Sequence, residues 1–146
     1  MKKLCMILCL LFMLCGCRER DKSNVLPKNI EQVRYNFSEE KELKIGEKDL
    51  FSLTKTQLKE ISEKSFEKEY NTKLPLNERD AVDVATIALV ENYKDCNKKE
   101  TPFLIKYSEK SGCYIIYGTK PFFSDEGIGI CAVEKNSGKV IMVIHT

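Results

Sequence analysis

The residues with the most specific chemistry in this chain are seven cysteines and one histidine. The single histidine, His145, excludes a metal site built from several histidines. Cys96, Cys113 and Cys131 form no C-x-x-C pair, so the usual zinc and thioredoxin patterns are absent. A nucleophilic thiol needs a neighbouring base, and His145 could serve Cys131 or Cys113 if the last strands are adjacent. A histidine second from the C-terminus is more typical of a strand end, so the sequence predicts no catalytic residue, metal or cofactor.

Four of the cysteines lie in an N-terminal segment typical of export. Lys2 and Lys3 precede an uncharged apolar run from Leu4 to Leu14, and Cys15-Gly16-Cys17 follows. This is the order of a secretory signal, and the run is too short for a spanning helix, which needs about 20 apolar residues. A buried apolar segment and a cleaved signal without lipid are the alternatives.

The segment around Cys17 resembles the bacterial lipobox, in which the last cysteine is acylated and becomes the mature N-terminus. The resemblance implies that residues 1–16 are a signal peptide and that Cys17 carries lipid. Two or three acyl chains would hold the protein stably on a membrane, whereas one chain alone anchors weakly. We therefore expect a lipid-anchored protein in the bacterial cell envelope, outside the cytoplasm.

Removal of the signal would leave three internal cysteines, Cys96, Cys113 and Cys131, which allow at most one internal disulfide. Cys113 and Cys131 lie in apolar runs, where a free cysteine usually acts as a small buried hydrophobe. The sequence therefore favours free thiols at these two positions.

The charge balance argues against nucleic acid as a partner. The chain has 24 Lys and Arg against 22 Asp and Glu, and two of the basic residues, Lys2 and Lys3, precede the apolar run. The exported part is therefore close to neutral. Nucleic-acid binding usually requires a basic surface, so we expect none.

The exported chain divides into a charged spacer and a folded domain. Residues 17–50 are mostly polar, although Val33, Tyr35 and Phe37 alternate as in one short strand. We expect residues 17–50 to be the acylated cysteine and a charged spacer, and residues 51–146 to form the domain.

Two helices are predicted at the start of this domain. Thr54 to Tyr70 carries an apolar stripe and charged residues elsewhere, which predicts an amphipathic helix capped by Thr54 or Thr56. Asn77 is a good N-cap for an Ala-rich helix that runs to about Tyr93 and is apolar around much of its circumference. Such a helix is typically buried on more than one side.

The C-terminal part predicts two β-hairpins. Their strands are expected at residues 103–108, 113–118, 128–134 and 140–145, with a turn-rich connection at residues 119–127. The predicted fold class is α+β, with the Ala-rich helix packed on a curved antiparallel sheet of about four strands. The second sheet face would be covered by residues 31–70 or left as a binding surface.

The segment from Arg79 to Thr146 resembles small bacterial immunity proteins with a nuclear-transport-factor-2-like (cystatin-like) fold. The resemblance is carried by the order and spacing of short features rather than by one motif. These features are the Ala-rich helix, Pro102-Phe103, Tyr114-Ile115-Ile116, Gly118-Thr119, Pro121, Gly127 with Gly129, Ser137-Gly138-Lys139-Val140 and His145. Tyr114 stands where the family pattern usually has Trp.

This resemblance implies a protein that binds and neutralises a cognate polymorphic toxin and performs no reaction. Phe122 and Phe123 are adjacent aromatics in the connection, next to Asp125 and Glu126. Exposed aromatics often dominate binding energy, so these four residues are the predicted partner-binding site; burial under the sheet is the alternative for the aromatics.

Two other functions fit the same predicted fold. A periplasmic small-ligand-binding or peptidase-inhibitory lipoprotein domain would need a concave pocket, which Tyr107, Tyr114 and Tyr117 could line if they do not pack the core. An isomerase-type or dehydratase-type enzyme would need a buried acidic residue near a tyrosine inside the fold.

Overall fold

In the computed structural model, the chain folds around a five-stranded main β-sheet that has a helix on each face. The main sheet has five strands in the order β1-β4-β5-β6-β7. Strand β1 is Tyr35–Phe37, β4 is Phe103–Ser108, β5 is Cys113–Tyr117, β6 is Gly129–Glu134 and β7 is Val140–His145. The residues that the structure describes are 33–67, 69–70, 72–94, 96, 100–119 and 127–146.

The last four strands form the two antiparallel hairpins that the sequence predicts. β4 pairs with β5, β5 with β6 and β6 with β7, all antiparallel. Gly112 and Gly138 have φ angles of 69° and 70° in the two turns, a conformation that glycine adopts without steric cost. The predicted α+β class is therefore confirmed.

The predicted sheet of about four antiparallel strands is wrong in one respect, because β1 is a fifth strand and runs parallel to β4. Val33 is buried and Tyr35 packs against the core, whereas Phe37 is 67% exposed. Residues 33–50, which the sequence analysis placed in the spacer, also include the small hairpin of β2 (Lys44–Ile45) and β3 (Lys48–Asp49). The packed part of the chain thus begins at least as early as Val33.

The Ala-rich helix, α2, spans Glu78–Asn92 and confirms the predicted element. The Asn77 side chain accepts a hydrogen bond from the Asp80 backbone N–H, as expected for an N-cap. Its apolar residues bury against one side of the main sheet, which we call the α2 face. They are Ala81, Val82, Val84, Ala85, Ala88 and Leu89.

The predicted helix from Thr54 to Tyr70 is wrong beyond its first turns, since α1 spans only Lys55–Glu60. Its start is as predicted, because Thr54 and Gln57 form a reciprocal capping box. The chain then leaves the helix, and the backbone N–H groups of Glu63 and Lys64 donate to the Val143 carbonyl of β7. Hydrogen bonds to the open edge of the sheet replace the remaining helical turns.

This turn carries the chain around the β7 edge, so the apolar stripe divides between the two sheet faces. Leu58 is fully buried on the face opposite α2, which we call the α1 face, together with Leu50, Ile115 and Met142. Phe66 and Tyr70 pack instead on the α2 face. The second sheet face is therefore covered by the segment before α2, the first of the two predicted alternatives.

Candidate functional site

The site residues predicted from the sequence lie outside the described residues. These are the lipidation residue Cys17 and the partner-binding residues Phe122, Phe123, Asp125 and Glu126. The structure does describe both ends of the connection that carries the last four. Gly118 and Thr119 lead into it and residues from Gly127 onward leave it, at the end of the sheet where β5 finishes and β6 begins.

Three side chains with metal-binding or acid–base chemistry meet at this end of the sheet. Glu100 is only 5% exposed, and its Oε1 lies 3.0 Å from Cys96 Sγ and 3.3 Å from His145 Nε2. Its Oε2 accepts a hydrogen bond of 2.7 Å from the Gly129 backbone N–H. We call Cys96, Glu100 and His145 the strand-end cluster. A buried carboxylate requires such partners, because an unsatisfied one is costly.

Two facing glycines make room for the Glu100 side chain. Gly118 and Gly129 lie next to each other on adjacent strand ends, and the Gly118 N–H donates to the Gly129 carbonyl. A Cβ at Gly118 would lie 2.0 Å from Glu100 Oε2, and a Cβ at Gly129 would lie 2.7 Å from Cys96 Sγ. Any larger residue at these positions would displace the strand-end cluster.

Local backbone structure brings the three side chains together. The Glu100 N–H donates to the Cys96 carbonyl at 3.0 Å, so the two residues are spaced as on one face of a helical turn. The Glu100 carbonyl accepts hydrogen bonds from both the N–H and the hydroxyl of Thr119. His145 is in register with Gly129 across β6 and β7, which places it beside the carboxylate.

The Cys96 thiol is protonated in this arrangement. Burial raises the pKa of Cys96, and the neighbouring Glu100 carboxylate raises it further because the thiol donates to it. The ring of Tyr93 lies against His145 with the ring centroids 5.1 Å apart. A thiol in this state is a poor nucleophile, since only the thiolate attacks efficiently.

The neighbour of His145 is Glu100, whereas the sequence analysis considered Cys131 and Cys113. Cys131 is in register with Val143, and Cys113 lies on the α1 face, so neither pairs directly with His145. All three internal cysteines are buried and free, as favoured for Cys113 and Cys131. Burial also raises the pKa of Cys113, to about 11.

The sequence reasoning missed Cys96 and Glu100 because they lie in a short polar stretch after α2. Three signals in combination could have found them. Cys96 and Glu100 have helical spacing, Gly118 and Gly129 stand at the ends of paired strands, and the one histidine closes the last strand.

The three tyrosines considered as a pocket lining do not share a pocket. Tyr107 and Tyr114 lie on the α2 face with ring centroids 5.2 Å apart, and the ammonium of Lys135 lies over both rings. Tyr117 lies on the α1 face. Tyr114 and Tyr117 are each 4% exposed, so both pack the core.

Two open grooves lie at the β7 edge of the sheet. One of about 380 Å³ is lined by Lys59, Glu63, Phe66 and Val140, among others. A smaller one of about 240 Å³ adjoins it and shares Phe66 and Val140. Both are shallow surface features beside the segment that rounds the sheet edge.

Comparison with known protein families gives a match for the C-terminal part of the chain. Residues 80–146 match the family described as NTF2 fold immunity protein. The matched immunity-family region covers a little under half of the chain and contains nearly all of α2, strands β4 to β7 and the strand-end cluster. It coincides almost entirely with the segment that carries the resemblance in the sequence. Searches of curated proteins and of solved structures give no significant match.

The match supports a likeness of residues 80–146 to NTF2-like immunity proteins, a family whose description implies a cognate toxin as partner. The matched immunity family is not a family of enzymes. Within the part of the chain that the structure describes, no helix has the length and apolar character needed to cross a membrane.

Proposed function

We propose that this chain is an envelope-anchored immunity protein that binds one cognate polymorphic toxin and blocks it stoichiometrically. The observation that carries the proposal is the family match over residues 80–146, because that region is also the continuous helix-and-hairpins unit of the fold. The lipid anchor on Cys17 is the second part of the proposal and rests on the N-terminal sequence alone.

The packed interior supports a binding role over a small-ligand role. Val82, Ala85, Phe103 and Ile116 are fully buried between α2 and the sheet, where they form part of the core. The tyrosines that could have lined a pocket are divided between two sheet faces. A ligand-binding domain of this architecture would need a cavity with converging polar groups, whereas a toxin inhibitor uses its outer surface.

We place the toxin-binding site on the connection between β5 and β6, with Phe122 and Phe123 as anchors and Asp125 and Glu126 as charged neighbours. The two strand ends that hold this connection are fixed by backbone hydrogen bonds, including Gly118 N–H to Gly129 and Thr119 N–H to Glu100. A rigid base favours a binding loop, since less conformational entropy is lost when the partner docks.

A growth assay tests both parts of the proposal. A candidate toxin domain, sought among the genes adjacent to this one, is exported in a host that lacks immunity, with and without the full chain. We expect arrested growth without it and rescue with it. Phe122→Ala with Phe123→Ala should weaken rescue, whereas Phe37→Ala should not, since Phe37 is an exposed phenylalanine of β1 outside the proposed site.

The anchor is tested in the same host with Cys17→Ala. We expect weaker rescue and loss of membrane association by cell fractionation. Equal rescue by Cys17→Ala would remove the anchoring part of the proposal and leave toxin binding intact. Failure of the wild-type chain to rescue would remove toxin neutralisation itself.

A further inference from the structure

We propose that the strand-end cluster is a metal site in which Cys96, Glu100 and His145 bind one divalent cation of borderline softness, Zn²⁺ by preference. The three potential ligand atoms, Cys96 Sγ, one Glu100 carboxylate oxygen and His145 Nε2, lie within 4.8 Å of one another. The proposal concerns the immunity-family region itself and does not depend on toxin binding.

The spacing of the ligand atoms fits tetrahedral coordination. Ligand bonds of about 2.3 Å for sulfur and about 2.0 Å for nitrogen and oxygen place tetrahedral ligand atoms roughly 3.3–3.5 Å apart. The distances here are 3.3 Å between His145 Nε2 and Glu100 Oε1 and 3.0 Å between Cys96 Sγ and Glu100 Oε1. Cys96 Sγ and His145 Nε2 lie within 4.8 Å of each other, so bound zinc would hold these two atoms at about 3.5 Å and the thiol slightly farther from the carboxylate.

The surroundings hold the ligands in place as a metal site requires. Glu100 Oε2 is fixed by the Gly129 N–H, which leaves Oε1 directed at Cys96 and His145. Hydrogen bonds of this kind to a ligating carboxylate orient it and tune its affinity. The absence of side chains at Gly118 and Gly129 provides the space, since a Cβ at either position would meet Glu100 or Cys96.

The ligand set selects the class of metal. Calcium and magnesium prefer sites made only of oxygen atoms, whereas thiolate and imidazole favour zinc and related transition ions. Three protein ligands leave one coordination position for water. The His145 side chain is 30% exposed, so the ion can reach this otherwise buried cluster from solvent.

Metal binding would also change the protonation of the cluster in a defined way. The Cys96 thiol now donates its proton to Glu100, and a cysteine binds zinc as the thiolate. Binding therefore forms a Zn–S bond and releases the thiol proton to solvent. Zinc uptake should be accompanied by release of about one proton at neutral pH.

The test is calorimetric titration of the full chain in detergent with ZnCl₂ alone. Cys5, Cys9, Cys15 and Cys17 are replaced by alanine in every variant, so that thiols outside the described residues contribute no metal ligand. We expect the parent chain to bind one zinc ion. Cys96→Ser and His145→Gln should each lower the zinc affinity by at least ~100-fold, because loss of a residue that only hydrogen-bonds to a metal ligand already lowers affinity by about 10–100-fold. Cys113→Ala, another buried free cysteine on the α1 face, should bind zinc as the parent does.

A second measurement keeps the test decisive if a substitution impairs folding. Co²⁺ bound to the parent chain should show a thiolate-to-metal charge-transfer band in the near ultraviolet, and Ca²⁺ should not compete with it. Absence of zinc binding by the parent chain, or a cobalt spectrum without the thiolate band, would each overturn the proposal. So would a zinc affinity in Cys96→Ser or in His145→Gln that equals the affinity of the parent chain.

Discussion

Replacement of Gly118 by alanine should destabilise the protein through a single buried side chain. The added Cβ would lie 2.0 Å from Glu100 Oε2 and 2.6 Å from Glu100 Cβ. The carboxylate end of Glu100 could rotate away from the added methyl group, but the Cβ of Glu100 cannot move unless its backbone moves. The Thr119 N–H donates to the Glu100 carbonyl and holds the backbone of Glu100, so a shift that relieves the clash would break this hydrogen bond.

The size of the effect follows from three contributions. Overpacking a filled site costs about 1–3 kcal/mol, and displacement of Glu100 also weakens its charged hydrogen bond to Gly129, worth about 1.5–3 kcal/mol. The lower entropy of the unfolded alanine chain offsets about 0.4–1 kcal/mol. We expect a net loss of about 3 kcal/mol, or a fall of roughly 10 °C in Tm for a domain of this size.

Denaturant unfolding of the full chain in mild detergent, followed by circular dichroism, measures this loss. The control is Gly46→Ala in the β2–β3 turn, where φ is 59° and nothing lies within 4 Å of the added Cβ. That change carries only backbone strain, about 1 kcal/mol. Unchanged stability of Gly118→Ala would refute the tight contact between Gly118 and Glu100.

Three further predictions concern stability, pH and thiol access. Leu58→Ala should lower the free energy of unfolding by about 2–5 kcal/mol in the same assay, because Leu58 is fully buried on the α1 face; a loss below about 1 kcal/mol would mean that α1 does not pack there. The pKa of Glu134 lies below its usual value because Lys55 and Ser137 donate hydrogen bonds to its carboxylate. The ionised carboxylate therefore stabilises the folded state at pH values above its pKa in the unfolded chain, and this stabilisation is lost as the pH falls through its pKa in the folded chain. The stability difference between wild type and Glu134→Gln should therefore shrink in acid, and a difference that grows there would contradict the sign. The buried thiols of Cys96, Cys113 and Cys131 should resist alkylation by iodoacetamide at pH 8 in the folded chain and react after unfolding. Mass spectrometry counts the alkylated cysteines, and rapid alkylation of these three in the folded chain would contradict their burial.

Elements fixed by local patterns could be predicted from the sequence. α2 has a good N-cap in Asn77 and an apolar circumference, and each C-terminal hairpin has alternating strands around a turn with glycine. These signals depend on neighbouring residues and agree with the tertiary structure, so both helix and hairpins are where the sequence indicates.

Elements that depend on distant contacts could not be predicted in this way. The stripe from Leu58 to Tyr70 has helical spacing. The chain nevertheless leaves the helix where the Glu63 and Lys64 N–H groups donate to the Val143 carbonyl, and the stripe beyond that point packs on the α2 face. β1 has three residues and gains its place only by pairing with β4. Tertiary hydrogen bonds outweighed local helix propensity in the first case and supplied most of the ordering in the second.

No single local motif marks the strand-end cluster, because Glu100 and His145 are far apart in the chain. Glu100 and His145 come together only through the register of β6 and β7 and the hydrogen bonds of Glu100 to Gly129 and Thr119. The resemblance to immunity proteins, in contrast, depends on the order of short features that the sequence displays directly, and the family match covers nearly the same segment, residues 80–146.

Titration of the purified candidate toxin from the growth assay with the purified chain tests the central claim most directly. The toxin's activity is measured at increasing ratios of this protein to toxin. A tight non-enzymatic inhibitor predicts that activity falls linearly and reaches zero near a fixed small ratio, about one to one. Full activity at every ratio would contradict toxin neutralisation, and loss of activity at catalytic amounts would show that the protein acts on the toxin as an enzyme.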